Sequence, residues 1–252
     1  MIYIKKKSEI DGIRKSSQIL RKVFQKVDSV IRIGVRAKEL DEIIYDEIIR
    51  HGAQPAFLGY RGYPASSCIS FNEEVVHGIP DERKFEKGDV IKVDIGVRFH
   101  NYFSDAAKTY FLTDNTNLDV DRLLNGTKLA LLHGMEAIKE GVRLGNVSSA
   151  IEKTAKHFRL GVVKLLGGHG VGIFLHEDPF IPNFGEPELG PTLKEGYILA
   201  IEPMFSLGTG EVKEKGDGWT YVTKDGSLAA HFEETVLVTK DGFENLTKVV
   251  YG

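Results

Sequence analysis

The sequence has only one cysteine, Cys68, among its 252 residues. A single thiol excludes an internal disulfide and any zinc site built from cysteines, which fits a reducing, cytoplasmic compartment. The sequence also has no run of 18 apolar residues, and the basic N-terminal stretch MIYIKKKSEI is not followed by the apolar segment of a signal peptide. We therefore predict neither secretion nor insertion into a membrane.

An excess of positive charge is absent as well. Lys and Arg total 33 against 36 for Asp and Glu, so the formal net charge is −3. Binding to nucleic acid relies on clustered positive charge, and direct binding of nucleic acid is therefore not expected. A G-x-S-x-G motif and a Cys-His signature are both missing, which argues against a hydrolase with a Ser or Cys nucleophile.

The predicted elements follow the order helix, helix, strands, and this order occurs twice. Helical spacing of apolar residues alternates with regions rich in β-branched and aromatic residues. The predicted elements are helices at 8–33 and 37–50, strands within 55–112, helices from 119 and at 146–158, and strands within 162–238. No linker interrupts this order, and 42% hydrophobic residues suffice for a sizeable core, so we predict a single domain over residues 1–252.

The second occurrence of this order also resembles the first in sequence. IRIGVRAKELDEII resembles IKEGVRLGNVSSAI at an offset of 107 residues, and FEKGDVIKVD, which ends at Asp94, resembles LKEGYILAIE, which ends at Glu202, at an offset of 108. Two matches at nearly one offset predict a duplicated half, with Asp94 and Glu202 at equivalent positions. The two predicted halves cover residues of about 8–113 and 119–250.

Two aspartates lie in the middle of a predicted hairpin, VDIGVRFHNYFSDAAKTYFLT. If the hairpin is centred between Phe99 and His100, Asp94 lies directly opposite Asp105. Directly opposed residues have Cβ atoms about 5 Å apart, and like charges at that distance destabilise a sheet. This register therefore predicts a positive group between the two carboxylates.

Period-two alternation allows a simpler explanation of these aspartates. It groups Asp94 with Lys92 and Arg98 on one face and leaves the apolar residues of the strand for the core, as in a sheet with one solvated face. Carboxylates are mostly exposed in proteins, so the hairpin alone favours this explanation.

Further acidic residues and one histidine stand in apolar or glycine-rich surroundings. GGHGVG flanks His169 with glycines, YILAIEPMF places Glu202 in an apolar run, and HFEETVLVT places Glu233 and Glu234 in a predicted strand. Several carboxylates cannot all be ionised in a dry cavity unless cations compensate their charge. Oxygen ligands with one imidazole and no thiolate suit Mn, Fe, Co or Zn, and four carboxylates balance two divalent ions.

Together these motifs resemble the type I methionine aminopeptidases over essentially the whole chain. The resemblance rests on Asp94 and Asp105, GHG at 168–170, AIEPM at 200–204 and HFE at 231–233, supported by GYRGYPASSCISFNEEVVHGIP, HEDPFIPNFG and DGWTYVTKDGSLAAHFE. It implies the α+β pita-bread fold, in which two pseudo-symmetric halves surround a curved, mainly antiparallel β-sheet. It also implies a single catalytic domain that removes the initiator methionine from nascent proteins and peptides with a small second residue, by a metal-bridged water or hydroxide.

The resemblance also implies which side chains would hold the metal ions. The ligands of two divalent ions would be Asp94, Asp105, His169, Glu202 and Glu233. Within that set, Asp105 and Glu233 would bridge both ions. The shared cations would be the positive group that the hairpin register predicts between the two aspartates.

Other matching positions would take part in the reaction or bind the substrate. Glu202 would act as general base, His77 would hydrogen-bond near the scissile nitrogen, and His176 would steady the carbonyl oxygen. The apolar slot for the methionine side chain would be formed by Tyr60, Tyr63, Cys68, Leu175 and Trp219, beside His77 and His176. For Cys68, a place in the hydrophobic core is an equally good explanation.

The chain departs from the family pattern at Glu234, where the family commonly has histidine. An extra acid beside the site would alter the affinity for metal or the pKa of its neighbours. Alternation leaves the choice of ligand open, because Glu234 shares a face with Phe232 and Val236, whereas Glu233 shares one with His231. Glu233 is assigned from the family match and its polar neighbours.

Two other functions remain open: an X-Pro aminopeptidase of the same fold and a non-catalytic binding protein that has lost its metals. X-Pro relatives usually carry an additional N-terminal domain, for which we expect no room before Ser8. All five ligand positions are filled, which argues against loss of the metals. The resemblance further implies a monomer whose partners are N-terminal Met peptides and nascent chains, with the ribosome as a further candidate.

Overall fold

The computed structural model describes residues 2–113 and 115–251. The helices are α1 (Lys7–Val30), α2 (Ala37–Arg50), α3 (Leu118–Glu136) and α4 (Leu144–His157), with a 3₁₀ turn at Tyr60–Gly62. The strands of the first part of the chain are β1 (Gln54–Pro55), β2 (Cys68–Phe71), β3 (Glu74–Val76), β4 (Val90–Phe99) and β5 (Tyr102–Phe111). The later strands are β6 (Gly161–Val162), β7 (Gly167–Gly170), β8 (Glu177–Pro182), β9 (Ile198–Ile201), β10 (Met204–Ser206), β11 (Val212–Glu214), β12 (Tyr221–Thr223), β13 (Ala229–His231), β14 (Glu234–Thr239) and β15 (Gly242–Asn245).

The helices begin and end close to their predicted bounds. α2 covers the predicted residues 37–50, and Asn117 caps the start of α3 because its side chain accepts hydrogen bonds from two backbone N–H groups of the first turn. α1 ends three residues earlier than predicted, since Ile31 already has an extended conformation and the turn with positive φ at Gly34 follows it. None of the helices in the described ranges has the length and apolar character needed to cross a membrane.

Within residues 2–113 and 115–251 the strands form four sheets, and the pairings between them are antiparallel. Their orders are β1-β4-β2 with β5 also on β4, β13-β10-β6, β11-β12-β3, and β15-β14-β9-β7-β8. β5 also meets the start of β14, because Ala107 bridges Glu233 and the Thr235 hydroxyl donates to the Asp105 carbonyl at 2.7 Å. This contact joins the strands that follow α1 and α2 to those that follow α3 and α4.

Each pair of helices covers its own hydrophobic core. In the first core, Phe24 of α1 and Ile44 of α2 pack with the apolar face of β4, which includes the predicted core residues Ile91 and Val93. In the second core, residues of α3 and α4 pack with β9 and β14. The candidate site lies on the opposite face of β4 and β5, which carries Asp94 and Asp105, and at the ends of β9 and β14, where Glu202 and Glu233 lie.

The predicted register of the β4–β5 hairpin was wrong by two residues. Asp94 pairs with Ala107, and Asp105 pairs with Gly96, because the loop consists of His100 and Asn101 rather than being centred before His100. His100 has a φ of 54°, which allows this tight two-residue connection. A shift of two residues keeps both aspartates on one face, where they are diagonal neighbours instead of opposed residues.

The explanation of a solvated face was also wrong. Asp94 and Lys92 are 7% and 1% exposed, and only Arg98 at the end of the strand is exposed to solvent. Strands β13 and β14 cover this face, where Thr109 of β5 donates to the His231 carbonyl oxygen. Lys92 is accommodated because its ammonium group donates to the carbonyl of Asn72 at 2.8 Å.

Candidate metal centre

The five predicted ligands come from five different strands or strand ends. Asp94 lies on β4, Asp105 on β5 and His169 on β7, whereas Glu202 directly follows β9 and Glu233 directly precedes β14. All five are at most 8% exposed. Carboxylates are rarely this buried without a partner, so their burial together needs an explanation.

The structure brings these side chains together at one place. Ligand atoms of Asp105, His169 and Glu233 all lie within 4.8 Å of one another. Glu202 adjoins this group, since its Oε1 is 3.5 Å from His169 Nε2. Asp94 is beside Asp105 on the same face of the hairpin and completes the set at the wall of a cavity.

Glycines on both sides of His169 allow strand β7 to lie between its two neighbours. A Cβ atom at Gly168 would be 2.2 Å from the Ala200 carbonyl oxygen, and one at Gly170 would be 2.2 Å from the Asp178 carbonyl oxygen. The imidazole Nδ1 donates to the Gly170 carbonyl at 2.9 Å. This hydrogen bond fixes the ring and leaves Nε2 free to face Glu202.

Burial of the carboxylates makes their ionised forms unfavourable. Removal from water raises the pKa of Asp94 to about 7 and that of Glu202 to about 7. Removal from water, followed by the charges of neighbouring carboxylates, raises the pKa values of Asp105 and Glu233 well above their usual range. The cluster therefore binds protons unless cations replace them.

The donor set fits divalent metal ions. Asp94 Oδ1, Asp105 Oδ1 and Glu233 Oε1 are buried, and within the described residues none of these atoms has a hydrogen-bond partner. Native structures rarely leave such atoms unsatisfied. Carboxylate oxygens with one imidazole suit Mn, Fe, Co or Zn, as the sequence indicates. We conclude that this cluster could hold metal.

Both further histidines of the prediction line the same cavity of about 670 Å³. Burial lowers the pKa of His77 to about 4 and that of His176 to about 3, so both rings are neutral near pH 7. The His176 ring is centred 4.3 Å from the ring of His169, and its Nδ1 lies 3.0 Å from the Tyr60 hydroxyl.

The apolar wall of the cavity contains all the residues predicted for the methionine slot. They are Tyr60, Tyr63, Cys68, Leu175 and Trp219. Trp219 packs edge-on against Tyr63 with ring centroids 5.1 Å apart. Cys68 is buried and also lines the cavity, a position that is compatible with both explanations. Sequence reasoning assigned no role to other lining residues, such as Phe57, Phe180 and Met204, although Phe180 and Met204 lie within the quoted motifs HEDPFIPNFG and AIEPM.

Glu234 is turned away from the cavity and binds the C-terminal segment. Its Oε1 accepts hydrogen bonds from the backbone N–H groups of Val250 at 2.7 Å and Tyr251 at 3.1 Å. Its Oε2 accepts from the Val249 N–H at 3.2 Å and from the Thr247 hydroxyl. Of the adjacent pair, Glu233 lines the cavity and Glu234 does not, and the choice of Glu233 as ligand stays a prediction.

His231 is a further residue of the cluster that sequence reasoning did not assign. It is fully buried, and its Nε2 lies 3.3 Å from Glu202 Oε2. Ligand atoms of His231, Glu202 and Glu233 lie within 4.8 Å of one another and form a second group that could hold a metal ion. The HFE motif contained this histidine, but nothing in its spacing distinguished it from a core residue.

The family model for metallopeptidase family M24 matches residues 11–240. The chain belongs to metallopeptidase family M24. The membership agrees with a buried carboxylate cluster that fits metal ions.

Individual M24 relatives match over their full length. Methionine aminopeptidase 1 of Bacillus subtilis is 43% identical over 249 residues, which cover 99% of this chain and 100% of the relative. The crystal structure of a methionine aminopeptidase from Thermotoga maritima is 42% identical, with a TM-score of 0.96 over 98% of this chain and 99% of the other. The predicted resemblance and the α+β pita-bread fold are thereby confirmed.

An X-Pro aminopeptidase of Thermotoga maritima is a more distant structural neighbour. Its crystal structure has a TM-score of 0.76 at 22% identity, and the match covers 97% of this chain but 62% of that one. This likeness shows the shared fold alone. The relatives that match over the full length are therefore the better guide to the reaction.

Proposed function

We propose that this M24 protein is a methionyl aminopeptidase, a metal-dependent hydrolase. Its substrates are nascent proteins and peptides that begin with the initiator methionine followed by a small second residue. The observation that carries the proposal is the meeting of four buried carboxylates and one imidazole at one wall of a cavity whose other wall is apolar. Relatives named methionine aminopeptidase that match over the full length support this choice.

The proposed cofactor is a pair of divalent ions, Co, Mn, Fe or Zn. The side chains that would hold the ions are Asp94, Asp105, His169, Glu202 and Glu233; the family resemblance assigns Asp105 and Glu233 to both ions. When bound, such a pair lowers the pKa of a bound water and stabilises negative charge on the reacting oxygens. The three unpartnered carboxylate oxygens support this arrangement, because each would gain the partner that it lacks among the described residues.

Glu202 serves as general base in this proposal. Its carboxylate lines the cavity beside the other proposed ligands, with Oε1 3.5 Å from His169 Nε2, where it could accept a proton from a water bound there. His77 and His176 are neutral, because burial lowers the pKa of both, and a neutral imidazole can donate one N–H. His77 would hydrogen-bond near the scissile nitrogen, and His176 would steady the carbonyl oxygen as negative charge develops there.

The apolar wall would bind the methionine side chain. Aromatic faces and a thiol give a flexible thioether favourable contacts, which supports Tyr60, Tyr63, Cys68 and Trp219 as the slot together with Leu175. The Tyr63 hydroxyl donates to the Gly78 carbonyl at 2.9 Å, so its ring presents an apolar edge to the cavity without an unsatisfied polar group.

Hydrolysis of three peptides tests the function. We expect Met-Ala-Ser to be cleaved much faster than Met-Ile-Ser, and an Ala-Pro peptide to be left intact, because the slot is shaped for methionine. A chelator should abolish the activity, and added Mn²⁺ or Co²⁺ should restore it. Preferred cleavage of Ala-Pro would support the X-Pro alternative, and full activity of the chelated protein would contradict a metal-dependent mechanism.

The proposed substrates also suggest where the protein works. Initiator methionine is removed from chains during synthesis, so we propose a cytoplasmic monomer that acts on nascent chains, with the ribosome as a candidate partner. The chain contains one buried cysteine, which agrees with a reducing compartment. Co-sedimentation with ribosomes and the mass in solution would test these two points separately.

A further inference from the structure

His231 is a fully buried histidine whose two ring nitrogens are both unsatisfied. It lies at the end of β13, where it pairs with Met204 of β10, and it is 0% exposed. Within the described residues neither Nδ1 nor Nε2 has a hydrogen-bond partner. Its backbone is held firmly, since the N–H group donates to the Thr109 hydroxyl at 3.0 Å. A buried imidazole without a partner requires an explanation.

The group that faces this ring is the carboxylate of Glu202. Its Oε2 lies 3.3 Å from His231 Nε2, and its Oε1 lies 3.5 Å from His169 Nε2. Glu202 is therefore placed between two imidazoles, one on each oxygen. The contact with His169 belongs to the proposed ligand set, whereas no role has been given to the contact with His231.

The hydrogen bonds of the two imidazoles indicate different roles. His169 is arranged as a metal ligand, whereas His231 is arranged as a hydrogen-bond donor. A histidine that binds metal almost always donates its other ring N–H to an acceptor, which fixes the tautomer. His169 has this arrangement, because its Nδ1 donates to the Gly170 carbonyl at 2.9 Å. His231 Nδ1 has no such acceptor among the described residues. A neutral ring carries one N–H, and for His231 the available acceptor is Glu202 Oε2.

We propose that His231 is a positioning residue for Glu202. Its Nε2–H donates to Oε2 of Glu202 and leaves Oε1, the oxygen nearest His169, to bind metal. The N···O separation of 3.3 Å is close to a hydrogen-bond distance, and a reorientation of the ring that aligns its N–H with Oε2 would complete the bond. The inference rests on the proposed function, because it assumes that Glu202 is a ligand in a metal centre.

Binding of Co²⁺ to the metal-free protein tests this role without an activity measurement. The variants are His231→Gln, whose amide can still donate a hydrogen bond, and His231→Leu, which cannot. His133→Leu is the control, since it removes a partly buried imidazole on α3 far from the cluster. Isothermal titration calorimetry gives the number of ions and their affinity, and circular dichroism checks that each variant unfolds cooperatively.

We expect His231→Leu to bind the same number of ions as the unaltered protein, with affinity reduced about 10- to 100-fold, the usual effect of losing a hydrogen-bonded neighbour of a ligand. His231→Gln and His133→Leu should stay within about threefold of the unaltered protein. If His231→Leu does not fold, His231→Asn replaces it, because the shorter amide cannot reach Oε2, and the same loss is expected.

Three results would overturn the positioning role. They are unchanged affinity in His231→Leu, the loss of one whole ion, which would make His231 a direct ligand, and a His231→Gln variant as weak as His231→Leu. If the unaltered metal-free protein binds no Co²⁺ at all, the metal centre itself is refuted, and both the proposed function and this inference fail together. The failure of the inference alone is thus distinguishable from the failure of the function.

Discussion

Glu233 and Glu234 are adjacent residues with different surroundings. Glu233 lines the cavity and has an unpartnered Oε1 among the described residues, whereas both oxygens of Glu234 accept hydrogen bonds from residues 247–251. The alternation of β14 explains the difference, because Glu234 shares its face with Phe232 and Val236 of the second core. The hydrogen bonds from residues 247–251 therefore explain the burial of Glu234 beside the proposed metal centre, and no metal ion is needed to compensate its charge.

The first prediction compares the two glutamates by conservative substitution. We expect Glu233→Gln to lower kcat/KM by more than about a hundredfold, because an amide is a much poorer metal ligand than a carboxylate. Glu234→Gln should lower it by less than about tenfold and instead destabilise the fold by about 1–3 kcal/mol, since the amide nitrogen cannot accept the tail hydrogen bonds. Kinetics at saturating Mn²⁺ and chemical denaturation measure the two effects, and equal kinetic losses would reverse the assignment.

Sequence reasoning found the chemical type of the site but not every residue in it. The five proposed ligands and the slot residues lie together, since their motifs were specific enough to be carried over by position. His231 was missed because its proximity to Glu202 depends on the pairing of β13 with β10. A short motif records residue types, and it does not record which strands will pair.

At the scale of elements, the C-terminal segment, residues 247–251, is hydrogen-bonded to the start of β14. Four hydrogen bonds from residues 247–251 converge on the buried Glu234 carboxylate, and the Tyr251 hydroxyl donates to the Lys128 carbonyl of α3 at 2.6 Å. Removal of this segment would leave a buried carboxylate without donors. Such a group costs about 1–3 kcal/mol or more.

The second prediction is a double-mutant cycle on the contact between the C-terminal segment and Glu234. Deletion of residues 247–252 should lower the free energy of unfolding strongly in the original chain, because Glu234 loses all four hydrogen bonds. The same deletion should cost at least about 1 kcal/mol less in a Glu234→Leu background, where no charge is left unpaired. Urea denaturation of the four proteins measures the coupling. Additive effects would mean that the segment stabilises β14 by packing alone.

The hairpin of β4 and β5 shows what element prediction could and could not supply. Its two strands and the shared face of Asp94 and Asp105 were predicted correctly, because they follow from the alternation of residue types. Its register was wrong, since no Asn-Gly or Asp-Gly pair specifies the turn and the positive φ of His100 is not visible in the sequence. The burial of this face was also missed, because the covering strands follow more than a hundred residues later.

At the scale of the whole molecule, the cluster couples stability to pH and to metal. In the unfolded chain the carboxylates are ionised above about pH 5, whereas in the metal-free folded protein Asp105 and Glu233 have pKa values well above their usual range. The folded state then binds more protons than the unfolded state, so stability falls as pH rises through this range. The buried histidines oppose this only below about pH 6.5, where the unfolded rings become charged.

The third prediction follows from this fall in stability with rising pH. We expect the melting temperature of the metal-free protein to fall between about pH 6.5 and pH 8, and we expect saturating Mn²⁺ to remove most of the fall. Metal binding should release protons, which calorimetry in buffers of different ionisation enthalpy detects. A melting temperature of the metal-free protein that stays constant or rises over this interval would contradict raised pKa values for these carboxylates.

The bounds of the two halves of the chain, 8–113 and 119–250, stay a prediction.

The split of the proposed ligands between the two parts of the chain has a consequence for synthesis. Asp94 and Asp105 leave the ribosome well before Glu202 and Glu233, and each group belongs to strands with their own hydrophobic core. An emerging copy can therefore collapse locally while the proposed metal centre is still incomplete. The proposed metal centre is complete only once the strand that follows Glu233 has been synthesised, so we expect metal uptake to come late in translation.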